Sequence, residues 1–392
     1  MWNKAYKSMM KKAIFILMAA LAVAACREDE LVISSDTQDT GGNSVGGSIV
    51  GMYVLCEGNM GTNKASVDYL DLSGNGSNVV YHRNIYPERN PTEVKELGDV
   101  GNDIKVNGNR VWMVINCSNM VVVATADSCR KVAKIDIPNC RYVTFDGAFA
   151  YVSSYVGPVE VGGTEHLGRV YKVDTASYKK VDSVTVGYQP EEMAVLGGKL
   201  YVANSGGYLL DHREKTVSVV DLASFTEEGK IEVAPNLHRL RADRHGRLWA
   251  TSRGDYWTEP SRLFRLTLDA AGTSASVDTL DIPVSDLCIV GDSLYYIGVE
   301  WSYETSSNKI GHGIVDVARA EPLASSLTSA PEFSDITLPY GIIVNPEDRD
   351  FYVMDAKDYL SSGQLYHFRA DGTFEWRVWT GDIPGHAAFV YK

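Results

Sequence analysis

The chain has 392 residues, with 37 Lys and Arg against 50 Asp and Glu, a formal net charge of −13 at pH 7. That acidity argues against nucleic acid, and against direct contact with anionic lipid, as a partner. With 35 Gly, 22 Tyr and 7 Trp and no long helical periodicity, the composition is that of one large β domain.

Residues 1–25 read as a targeting segment. Lys4, Lys7, Lys11 and Lys12 form a basic start, and residues 13–22 are apolar but too short to span a bilayer. Loss of those four lysines would leave a charge of −17. Val23-Ala24-Ala25-Cys26 resembles the lipobox of bacterial lipoproteins, with Cys26 as the acylated residue. Arg27-Glu28-Asp29-Glu30 resembles the surface-export signal of Bacteroidetes lipoproteins. Residues 26–48 include SSDTQDTGGNSVGGS and read as an acidic, Gly/Ser-rich tether that builds no core. The folded domain is therefore expected over 49–392.

Within it, short Val- and Tyr-rich runs bounded by turn formers recur every 40–50 residues, the pattern of propeller blades. Residues 190–235 hold four such runs. Their first pair can be laid over 103–116, 142–153, 240–251, 287–298 and 342–355. Gly51 to Glu57 looks like a second strand lacking its first, and His386 to Val390 like a first strand lacking its second. The expectation is an all-β, seven-bladed propeller of four-stranded antiparallel blades, its ring closed by both chain ends.

The loops entering each first strand and leaving each second strand should meet at one face of such a ring. They carry Tyr and Trp among Asn, Ser, Gly and Asp, the composition of a recognition surface. Expected apolar contacts are Tyr155, Tyr208, Tyr256, Trp257, Trp301, Tyr303, Tyr340 and Tyr359. Expected polar contacts are Asn116, Arg141, Asn204, His238, Arg239 and Arg253. Glu57, Glu191, Asp255, Glu300 and Asp355 could ring the same face, as in a calcium-holding propeller hydrolase. No dense acidic cluster marks a metal site, however, and no His pair or catalytic constellation stands out, so binding rather than catalysis is the reading. Apart from Cys26, five cysteines remain, none in a Cys-x-x-Cys pair. Cys117 and Cys140 should lie at one face, where a disulfide is plausible.

The stretches LCEGNMGTNKASVDYLD, VKELGDVGNDIKV, IPNCRYVTF, VGYQPEEM, LYVANSGGY, NLHRL, SRGDYW, LPYGIIVNP, DAKDY and TGDIP run along the whole mature chain. Together they resemble the BtuG family, cobalamin-binding surface lipoproteins of Bacteroidetes. The resemblance implies a lipid-anchored propeller outside the outer membrane, with no other contact to the bilayer. Such a protein binds vitamin B12 and related corrinoids as ligand rather than cofactor. It hands them to a BtuB-like TonB-dependent outer-membrane transporter, which it caps as a hinged lid. A surface glycan-binding propeller shares the anchor and the aromatic loops, and a metal-dependent hydrolase or a protein-binding scaffold shares the fold.

Overall fold

Short Val- and Tyr-rich runs, buried on both faces in the inner strands and alternating on outer strands such as Lys131–Asp136 and Ala275–Leu280, form antiparallel strands throughout the described residues. The computed structural model describes residues 32–44, 46–74, 76, 78–93, 96–163, 166–302 and 307–392, without the side chains of 211, 301 and 302. The expected targeting segment, Cys26 and Tyr303 lie outside the described residues. Six four-stranded sheets occupy 101–136, 140–185, 190–232, 237–280, 286–324 and 339–382, here blades two to seven. The hairpin opening blade four turns on Gly197 and Gly198, at φ 59° and 77°. Two left-handed residues in a row are what a tight turn between twisted strands requires.

Blade one joins the two ends of the domain. Ile49–Cys56, Ser66–Asp71 and Asn78–His82 take Pro384–Tyr391 as their innermost strand, with Met52 opposite Phe389 and Val54 opposite Ala387. The chain is thus a seven-bladed β-propeller closed by its N- and C-terminal strands, as the half-repeats at its ends imply.

One expectation is overturned. The segment anticipated as a free tether contributes a fifth strand, Thr37–Asn43, on the outer edge of blade one. The Gln38 side chain exchanges two 2.9 Å hydrogen bonds with the backbone of Trp379, lashing the strand to blade seven. Gln38, Thr40 and their glycines offer little to a core, which is why the pattern hides this strand. An outermost strand needs only backbone pairing.

The hydrophobic core is divided into wedges between neighbouring blades. Trp112 fills the wedge between blades two and three, Trp249 that between five and six, and both are fully buried. Strand aromatics therefore pack blade on blade, while several loop aromatics stay exposed. Toward the axis the packing turns polar. Carboxylates on three innermost strands accept a backbone N–H from the next blade: Asp103 from Val143 (3.0 Å), Glu192 from Leu240 (3.1 Å) and Asp286 from Ile342 (2.9 Å). A cation backs each of them: Lys105 at 3.5 Å from Asp103, Arg241 against Glu192, and Arg239 at 2.9 Å from Asp286.

Phe389 is a buried member of the wedge between blades seven and one. Phe389→Ala is expected to cost about 3–5 kcal/mol, read as a lowered urea midpoint at the same m-value. A loss below 1 kcal/mol would mean that the terminal strand does not hold the ring shut.

Candidate functional site

The loops at one end of the channel are set by a repeated backbone bridge. The first residue after each second strand donates its N–H to the carbonyl just before the first strand of the same blade. Glu57 bonds Ile383 (2.8 Å), Asn116 bonds Val100 (2.7 Å), Tyr155 bonds Asn139 (3.0 Å), Ser205 bonds Gln189 (3.1 Å), Arg253 bonds Asn236 (3.0 Å) and Ala356 bonds Leu338 (3.0 Å). In blade six the Ser285 hydroxyl stands in for the carbonyl, accepting from Val299 at 3.0 Å. Val100, Asn139, Gln189, Asn236 and Ile383 adopt positive φ to make this turn. For the β-branched Val100 and Ile383 that conformation costs about 1–2 kcal/mol each. The bridge thus delivers seven different side chains to one height around the axis.

Below this rim, two successive positions at or just before the start of the innermost strands form two layers, of which Asn102, Arg141, Tyr142, His238, Arg239, Ser285, Tyr340 and His386 line the channel mouth. The upper layer is Asn102, Arg141, Glu191, His238, Ser285, Tyr340 and Gly385. The lower layer is Asp103, Tyr142, Glu192, Arg239, Asp286, Gly341 and His386. A Cβ on Gly341 would lie 2.4 Å from the Gly385 carbonyl oxygen, so Gly341 lets two strands meet backbone to backbone beside Tyr340 and His386. A crater of 710 Å³ opens there, walled by every blade except the fourth.

Eight residues expected at the site line this crater: Arg141, His238, Arg239, Arg253, Tyr256, Trp257, Tyr340 and Tyr359. Trp257 is 82% exposed, Tyr256 56% and Tyr359 44%, so these rings stand at the mouth, whereas Tyr340 lies deeper. Two Asx-type loops fix the exposed rings. The Asp255 carboxylate accepts from the backbone N–H groups of Trp257, Thr258 and Glu259 at 2.7–2.8 Å and from the Thr258 hydroxyl. Those bonds, the Thr258 hydroxyl first, hold its carboxyl well below the usual range. Asp358 likewise accepts from Leu360 (3.0 Å) and Ser361 (2.8 Å). Arg213 lies over the Tyr256 ring at 5.3 Å, and Tyr359 meets Tyr340 edge-on at 5.7 Å.

Other expected contacts are placed elsewhere. Asn204 is buried within blade four, donating to Thr216 (3.1 Å) and Ser218 (2.9 Å). Asn116 donates to Asn139 (2.7 Å) and to the Cys140 carbonyl (2.9 Å). Tyr155 is buried with its hydroxyl on Glu191. Asn116 is used up by a rim turn, Asn204 by hydroxyls within its own blade and Tyr155 by the Glu191 carboxylate. Tyr208 is exposed but outside the crater wall. Trp301 is the penultimate residue of the strand Ser293–Ser302, and its side chain is not among those described. The anticipated Cys117–Cys140 bridge is absent: both thiols are free, with Cys140 turned inward to the Ile115 and Met120 carbonyls. Of the five carboxylates that might have ringed the face, Glu57 and Glu300 line the crater. Glu191 is paired with Arg141 at 3.1 Å, and Asp355 is buried against the Leu338 N–H. Among the described residues no three His, Cys, Asp or Glu side chains converge to hold a metal.

The crater floor is a connected polar network. Tyr142 was not anticipated; its place in the lower layer follows only once the seven first strands are aligned. Its hydroxyl lies 2.9 Å from His238 Nε2 and 3.1 Å from an Arg239 nitrogen. Arg253 also donates to His238 Nε2, at 2.9 Å. Burial, then the charges of Arg253, Arg239 and Arg141, push the His238 pKa well down, so this imidazole is a neutral acceptor at Nε2. His386 is neutral for the same reasons, burial first and then Arg239, Lys105 and Arg241. Glu57 faces Tyr340, whose hydroxyl donates at 3.2 Å, and His386 at 3.9 Å. Burial pushes its carboxyl up to about 7 against the opposing pull of Arg141, Tyr340, Arg239 and Arg253.

No protein-family model matches the chain, and no curated protein does. Many solved structures do. A quinonprotein alcohol dehydrogenase-like protein from Bacteroides thetaiotaomicron superposes with a TM-score of 0.54 at 9% identity, covering 87% of this chain and 78% of that one. Hydrazine synthase from Kuenenia stuttgartiensis gives 0.53 at 15% identity, over 68% and 76%. At such identities the likeness shows the propeller fold alone.

A carboxyl raised from 4.5 to about 7 on folding adds stability below pH 4.5 that is lost as pH rises through 7. Glu57→Gln removes that loss. Measured by chemical denaturation, the variant is expected to gain about 2–3 kcal/mol on the wild type between pH 5 and pH 8. A pH-independent difference would contradict the assignment.

Proposed function

We propose that this propeller is a surface lipoprotein of the BtuG kind, anchored through Cys26. It captures cobalamin and related corrinoids in the crater and passes them to a BtuB-like TonB-dependent outer-membrane transporter, without catalysing a reaction. The supporting observation is the crater itself, in which Tyr256, Trp257 and Tyr359 stand at the mouth above Asn102, Arg141, His238 and Arg253. A corrinoid is broad and flat, with amide side chains around its rim. Rings at the mouth can lie against its plane and edges, while guanidinium, amide and imidazole groups pair with its amides.

Preorganisation supports the same reading. The exposed rings sit on loops tied down by Asp255 and Asp358, and the rim turns are bridged to the blades. Little ordering entropy is then lost on binding, which favours tight capture of a scarce ligand. The lipobox-like sequence and the acidic residues after Cys26 agree with a place outside the outer membrane, where uptake begins.

Purified protein incubated with cyanocobalamin and desalted is expected to retain the ligand's red absorbance. Trp257→Ala should weaken binding at least tenfold by calorimetry, about 1.4 kcal/mol, at an unchanged melting temperature because the ring is exposed. Failure of the wild type to retain any corrinoid would overturn the proposal.

A further inference from the structure

The three guanidinium groups of the crater are not equivalent. Arg239 is buried, 2.9 Å from Asp286 and bonded to the Tyr142 hydroxyl. Arg141 is bonded to both oxygens of Glu191, at 3.1–3.4 Å, and lies over the Tyr155 ring. Both charges are neutralised in place. Arg253 differs: its side chain is 38% exposed, and its nearest carboxylate, Glu191, is 3.9 Å away. That carboxylate already serves Arg141 and the Tyr155 hydroxyl. Among the described residues, the side-chain hydrogen bond of Arg253 goes to His238, a neutral ring that also contacts Tyr142. Arg253 lines the crater, where among the described residues Glu57, Glu259 and Glu300 are the other carboxylates of the wall.

A broad ligand that closes the crater must strip water from Arg253. Covering a guanidinium with neutral surface costs several kcal/mol unless an anion takes the place of the water. A planar fork of N–H donors matches the two free oxygens of a phosphodiester. The amides of a corrin rim are neutral; its nucleotide tail carries one phosphodiester. Resting on the corrinoid reading above, we infer that Arg253 seats that phosphodiester, so that the crater distinguishes complete corrinoids from those lacking the tail. His238 holds the fork in place from below. Glu57, on the opposite wall, interferes least when protonated.

The test compares cyanocobalamin with dicyanocobinamide, which lacks the nucleotide tail and its phosphate, on wild type, Arg253→Gln and Arg253→Lys by calorimetry. Arg253→Gln is expected to lose at least tenfold in affinity for cyanocobalamin and less than threefold for dicyanocobinamide. Arg253→Lys should keep part of the preference, and raising NaCl from 50 to 500 mM should weaken only the cyanocobalamin complex of the wild type. Equal losses for the two ligands, no loss for either, or salt-independent wild-type binding would each overturn the inference while leaving corrinoid capture standing. If neither ligand binds the wild type, the corrinoid reading itself falls. The salt series needs no variant, so the inference stays open to refutation even if Arg253→Gln fails to fold.

Discussion

Everything about the crater depends on the antiparallel pairing of Ile49–Cys56 with Pro384–Tyr391. Seven sheets arranged around an axis form an arc until this pairing makes them a ring, and only a ring prevents the innermost strands from splaying. The polar links near the axis draw on the same constraint. Asp103, Glu192 and Asp286 are buried carboxylates, each holding a backbone N–H of the neighbouring blade. A buried carboxylate left without such a partner would be destabilising by more than a typical hydrogen bond contributes. Closure and internal charge pairing therefore support each other.

On that frame, recognition chemistry is separated from backbone chemistry. The rim bridge is nearly the same in every blade, while the residue it presents is Glu57, Asn116, Tyr155, Ser205, Arg253, Val299 or Ala356. Such a scaffold lets one blade carry a charge, another a ring and another nothing, without moving the main chain. The strained turns at Val100 and Ile383 suit this division: local cost is accepted where geometry must be held fixed. Blade four shows the opposite use, its Glu191 and Glu192 tied to Arg141 and Arg241 so that it strengthens the wall instead of opening it.

Much of the fold was legible because short Val- and Tyr-rich runs between turn formers leave a strong repeat, and because half-blades at both ends can only be completed by each other. Thr37–Asn43 was not legible, since an edge strand held by backbone and one Gln amide carries no apolar signature. The site was legible to the level of loops. Loop position correctly brought Arg141, His238, Arg239, Arg253, Tyr256, Trp257, Tyr340 and Tyr359 to one cavity. It could not separate Asn116, Asn204 and Tyr155, which sit in or beside the same loops but turn inward to satisfy backbone, hydroxyl and carboxylate partners. That distinction rests on side-chain direction, which composition does not encode. The Cys117–Cys140 pairing failed for the same reason.

The strand Thr37–Asn43 also shortens any tether that Cys26 could provide. Ile33 is buried, and its carbonyl already accepts from Asn84 at 2.9 Å, so the body of the propeller begins there. Between Cys26 and that point only seven residue steps remain, a fully stretched span of about 25 Å. A lipid on Cys26 would therefore hold blade one close above the bilayer. The molecule would then swing about a short pivot beside blade one.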